Sequence, residues 1–204
     1  MEREKGRVEA FSDGVFAIVI TLLVLDLRVP AHETGHLWSA LVKEWPQYVA
    51  FVISFGVVGI IWMNHHSLFS LLRAVDRPVM MANLFVLFTT ALIPFPTAML
   101  AEVINDGGRD AQVAGALYAG SFELMAIAMA MMFWVIHRSG GHVLRHRPER
   151  GEVVRAFLRF GVGHIPYVTA IVLAFVNPLI SVGITALIAL YYSFEQVRTP
   201  MPTE

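Results

Sequence analysis

The sequence predicts an all-α integral membrane protein with six transmembrane helices, and three observations carry that prediction. The 204 residues are 56% hydrophobic and only 15% charged, with a mean hydropathy of +0.63, whereas soluble domains carry about 25% charge. Six apolar windows, about 8–27, 47–70, 79–102, 112–137, 153–176 and 179–197, each supply the roughly 20 helical residues that cross a bilayer core of about 30 Å. With the N-terminus inside, twelve of the fifteen Lys and Arg fall on the inner side and three outside, the bias expected of cytoplasmic loops. An odd number of spans would scramble that alternation, so both termini are expected in the cytoplasm.

Each window ends at a breaker. "RVPAHETGHLWSALVKEWP" follows the first, "RAVDRP" the second, "NDGGRDA" the third and "HRSGGHVLRHRPERGE" the fourth, while Asn177-Pro178 turns the chain between the last two. None of these linkers could hold a separate domain, so residues 1–200 read as a single six-span unit and 201–204 as a tail. The first window lacks a small-residue cleavage site and reads as a retained span. In the third, Pro94 and Pro96 remove backbone donors and are expected to bend the helix.

The charge balance of −1 and the absence of basic tracts interleaved with aromatics argue against nucleic acid. Without cysteine, disulfides, thiolate metal sites and thiol nucleophiles are excluded. G-x-S-x-G does not occur, and no enzyme, cofactor or metal is expected.

The first span holds the most informative stretch, "VEAFSDGVFAIVITLLVLDL". Its apolar part, from Gly14 to Leu25, covers only about 18 Å at 1.5 Å per residue, too little to cross. The helix must therefore begin near Arg3 to Arg7, which places Ser12 and Asp13 inside it, and an ionisable residue within a span is by default a functional hypothesis. At roughly 100° per residue, Arg7, Phe11, Gly14, Ile18, Leu22 and Leu25 share one stripe with Thr21 at its margin. Asp13 lies roughly 140° from Ile18 by the same periodicity, so it should meet a partner on another helix. Trp62, Asn64, His65 and His66, at the inner end of the second span, lie at its depth, as does Asn83 in the third. Adjacent histidines diverge by about 100° on a helix and make a poor metal site.

Arg7-x-x-x-Phe11-Ser12-Asp13 and the apolar run after it resemble the signature of the TMEM175 family, the endosomal and lysosomal potassium channel and its bacterial homologues. The likeness extends to Trp62–His66 and to the six-span architecture; one FSD per chain resembles the single-repeat bacterial form. The resemblance implies a homotetramer in the bacterial plasma membrane, around a central pore lined by the first helix. It implies a conduction path for K⁺ past Ile18, Leu22 and Leu25, with Ile18 narrowest and Thr21 supplying a hydroxyl ring. Arg7, Phe11, Ser12 and Asp13 then belong to a network that binds the first span to the second and third, together with Trp62, Asn64, His65 and His66. There is no T-V-G-Y-G, so a carbonyl filter is not available and only a modest preference for K⁺ over Na⁺ is expected.

Glu123 in the fourth span is a candidate proton-sensitive site or a partner for His164 in the fifth. With Asp13 at membrane depth they support the alternative reading, a proton-coupled transporter. Arg155 and Arg159 are expected to snorkel to inner headgroups.

Overall fold

The computed structural model describes residues 2–145 and 150–195, and within them the side chains of all but 2–3, 140, 150, 152–162 and 193–195. The chain is helical: α1 (Glu2–Leu25), α2 (Leu37–Lys43), α3 (Trp45–Ser70), α4 (Arg77–Ala91), α5 (Pro94–Val103), α6 (Gly108–Ser139), α7 (Arg150–Ala174) and α8 (Pro178–Glu195). Among the described residues, four stretches are long and apolar enough to span a membrane: Glu4–Leu25, Trp45–Ser70, Arg77–Val103 and Gly108–Ser139. Gly163–Ala174 and Pro178–Tyr192 are shorter apolar helices. The tail 201–204, Arg147 and Arg198, and the side chains of Arg155 and Arg159, lie outside the described residues.

The third window is two helices rather than one. Pro94 and Pro96 cannot donate to Thr90 and Leu92, and the chain answers with short-range bonds, Ile93 N–H to the Thr90 carbonyl (3.1 Å) and Phe95 N–H to that of Leu92 (3.2 Å). The loop after α1 contains α2, seven residues without a buried side chain. Between α5 and α6, Gly107 and Gly108 both hold positive φ (69° and 68°), which side chains disfavour, so the reversal there depends on paired glycines.

The 32-residue α6, about 48 Å at 1.5 Å per residue, is the hub on which α4, α5, α7 and α8 pack. Its buried face alternates small Ala111, Ala114, Gly115 and Ala119 with Tyr118, Phe122, Met125 and Met132. Small residues let backbones approach where lipid removes the hydrophobic drive for helix association. A Cβ at Gly115 would stand 3.1 Å from the Pro178 Cβ at the start of α8. The first helix lies to one side, against α3, α4 and α5.

On the side bearing the α3–α4 and α6–α7 loops, Leu72 and Leu144 form an antiparallel bridge. The Arg73 Nε–H donates to the His142 carbonyl (3.0 Å) and the Arg145 Nε–H to that of Leu72 (3.1 Å). Asp76 caps α4 by accepting from the Val79 N–H (2.9 Å).

Candidate functional site

Two faces of α1 meet different surroundings. Ser12, Phe16, Val19 and Leu23, spaced four, three and four apart, are all 2% exposed or less and form the face buried in the subunit. Opposite, Ile18 is 60%, Leu22 42% and Leu25 71% exposed, continuing a line from exposed Arg7, Phe11 and Gly14. Thr21 is exposed beside them, and its hydroxyl proton is satisfied by the carbonyls of Ala17 (3.0 Å) and Ile18 (2.9 Å) on its own helix. That back-bonding leaves the oxygen lone pairs facing outward.

The buried face is tied to α3 and α4 by a chain of hydrogen bonds whose direction can be assigned. Asn83 Nδ2–H donates to Ser12 Oγ (3.0 Å), so the Ser12 proton goes to the Val8 carbonyl (2.9 Å), and Asn83 Oδ1 accepts from His65 Nε2–H (2.7 Å). The His65 ring is held between Phe16 (centroids 5.2 Å) and a stacked Phe69 (4.5 Å), while its Nδ1 has no hydrogen-bond partner among the described residues. Ser12, His65 and Asn83 are each 1% exposed or less, and in a water-free interior such groups need partners.

Asp13, next to Ser12 but a third of a turn round, takes a different partner. Trp62 Nε1–H of α3 donates to its Oδ1 at 2.8 Å. One turn earlier, Glu9 stands 4.0 Å from Lys5 Nζ and 3.6 Å from His66 Nδ1, and the His66 ring lies 6.0 Å from that of Trp62. Thus Ser12, Asp13, Trp62, His65 and His66 are brought to one seam between α1 and α3. Asn64 is half-buried on α3. Arg7 and Phe11 stand exposed on the far side of α1, and among the described residues Arg7 makes no hydrogen bond or ion pair. Asn83 had been offered by the sequence as a partner for Asp13; it pairs instead with Ser12 and His65. Of the aromatic clamp, Phe69 carries a sequence signal, four residues on from His65 in the same helix; Phe16, on α1, carries none.

Among the described residues no group of three or more His, Asp or Glu is placed to hold a metal ion.

A family model described as the endosomal/lysosomal potassium channel TMEM175 matches residues 7–94, the stretch holding α1, α3 and α4. A potassium channel of Streptomyces collinus is 46% identical over 201 residues, covering 98% of this chain and 96% of its own. A potassium channel of Chamaesiphon minutus is 40% identical over 197 residues, covering 94% and 95%. The crystal structure of a lysosomal potassium-selective channel TMEM175 homolog from Chamaesiphon minutus matches with a TM-score of 0.83 at 38% identity, over 95% of this chain and 98% of that one.

Proposed function

We propose that this chain, which belongs to the TMEM175 family of ion channels, assembles as a homotetramer of six-span subunits. It conducts K⁺ in preference to Na⁺ through a central pore lined by α1. The observation that carries the reading is the exposed apolar line Ile18–Leu22–Leu25 on a helix whose opposite face is sealed into the subunit. One such helix per chain encloses a pore only when several copies gather. Ile18 forms the constriction, where a ring of apolar side chains closes by dewetting. A partly dehydrated cation gains little from methyl groups, so the preference for K⁺ rests on its lower dehydration cost and on the outward lone pairs of Thr21. The seam at Ser12, Asp13, Trp62, His65 and Asn83 holds α1 in register against α3 and α4. Both termini face the cytoplasm of a bacterial plasma membrane, in keeping with the inner bias of Lys and Arg, and residues 1–200 are the channel unit.

Liposomes reconstituted with the purified protein and loaded with K⁺ test this reading. K⁺ efflux is expected down a purely ionic gradient, with no proton movement coupled to it through the protein required. A second reading, proton-coupled transport, is favoured by the half-buried Glu123 and His164; obligatory one-for-one proton coupling would establish it and overturn the channel.

A further inference from the structure

A second polar site lies on the other side of the hub, outside residues 7–94 that the family model matches. Glu123 is midway along α6 and His164 midway along α7, and the His164 Nδ1 stands 2.9 Å from Glu123 Oε1 with side chains 26% and 13% exposed. The distance is that of an ion pair, yet the geometry does not complete a hydrogen bond. Among the described residues, neither Nδ1 nor the second carboxylate oxygen, Oε2, both enclosed, has a hydrogen-bond partner.

The surroundings add aromatic hydroxyls. Tyr167 of α7 lies alongside, its ring 6.5 Å from that of Phe122, the neighbour of Glu123. The Tyr192 hydroxyl of α8 presses on Gly163, where a Cβ would collide with it. Tyr118 is engaged with Ser54 (3.3 Å). From 78 to 101, α4 and α5 contain no Asp, Glu, Lys, Arg or His. On α7, Glu152, Arg155 and Arg159 stand nearer the inner end, their side chains outside the described residues, and Tyr191 and Glu195 stand near the inner end of α8.

We propose that Glu123 and His164 form a proton-binding site within the membrane, holding one proton between them and lying apart from the path along α1. With one proton the couple is neutral in sum, whether written as carboxylate with imidazolium or as carboxylic acid with imidazole. Loss of that proton leaves a carboxylate with an unpartnered, enclosed oxygen; gain of a second leaves an imidazolium facing an uncharged acid. Either change places a net charge in a medium where isolated charge is costly. A proton gained or lost by either side chain therefore changes the charge of the couple as a whole, and that charge sits at the junction of α6 and α7, next to α8.

Infrared difference spectroscopy of the reconstituted protein through a pH jump tests this without reference to ion flux. The wild type is expected to show a buried carboxyl band that titrates together with an imidazole band. Glu123→Gln should abolish the carboxyl band, and His164→Gln should keep it with its midpoint moved by about one pH unit or more, as for groups that share a proton. The proposal is overturned if the wild type shows no such paired bands, if Glu123→Gln leaves the carboxyl band in place, or if His164→Gln leaves its midpoint unmoved.

Discussion

The buried and exposed faces of α1 are built from similar apolar residues one or two positions apart, yet they do different work. Phe16 is 1% exposed and Ile18 60%. Hydropathy does not distinguish them, because both faces are apolar. The polar residues do. Ser12 and Asp13 bind to Asn83 and Trp62, and those bonds decide which way every following residue of α1 turns. The exposed line is thus a consequence of the anchor one turn or more below it.

The comparison breaks most visibly at Phe16. Phe16→Ala removes the ring between α1 and His65 and should cost about 3–5 kcal/mol, the range for truncating a buried Phe; thermal unfolding of the detergent-solubilised protein measures it. Ile18→Ala should change the same midpoint by less than about 0.5 kcal/mol, as at exposed positions. Next in size, Asn83→Leu strands the His65 Nε2–H, at about 1–3 kcal/mol for a buried unsatisfied group. It should loosen assembly, seen by size-exclusion chromatography, more than it alters the ion preference of channels that do form. On the exposed face, Ile18→Ser should lower the dewetting barrier; a fall of about 1.4 kcal/mol corresponds to a roughly tenfold rise in flux, with weaker discrimination between K⁺ and Na⁺.

An effect smaller than those at Phe16 and Asn83 lies at the loop bridge, remote from both faces. Burial pushes the Asp76 carboxyl upward, but the Val79 N–H, Ser139 and His142 outweigh it and hold the group below its ordinary range. A depressed carboxyl contributes stability above its unfolded value and loses it as pH falls through the folded one. Asp76→Ala should therefore cost about 1 kcal/mol at neutral pH, the usual worth of a helix cap. The gap to wild type should close as pH drops below about 4, followed by unfolding across a pH series.

Much of this architecture is legible in the sequence, for physical reasons that also mark the limit. Long apolar windows announce α3 and α6, and the prolines announce the break at Leu92–Ile93. The seven residues of α2 bury nothing and leave no periodic trace. The depth argument that placed Trp62 level with Asp13 needs only 1.5 Å per residue, and the two are bonded at 2.8 Å. Which of two adjacent histidines turns inward is not a matter of depth but of rotation about α3. His65 is sealed between Phe16 and Phe69 and His66 faces Glu9, a division that only the packing of three helices decides. The pairing of Glu123 with His164 was available as a guess from matching depth; the enclosure of its second oxygen was not.

Because the chain contains no cysteine, the orientation of α1 can be read chemically on a clean background. Ile18→Cys, Leu22→Cys and Leu25→Cys, each in reconstituted protein, should lose K⁺ flux when a membrane-impermeant, water-soluble thiol reagent is added, while Val19→Cys and Leu23→Cys should be untouched. Block at Val19 and Leu23 with none at Ile18, Leu22 and Leu25 would contradict a pore lined by the exposed face.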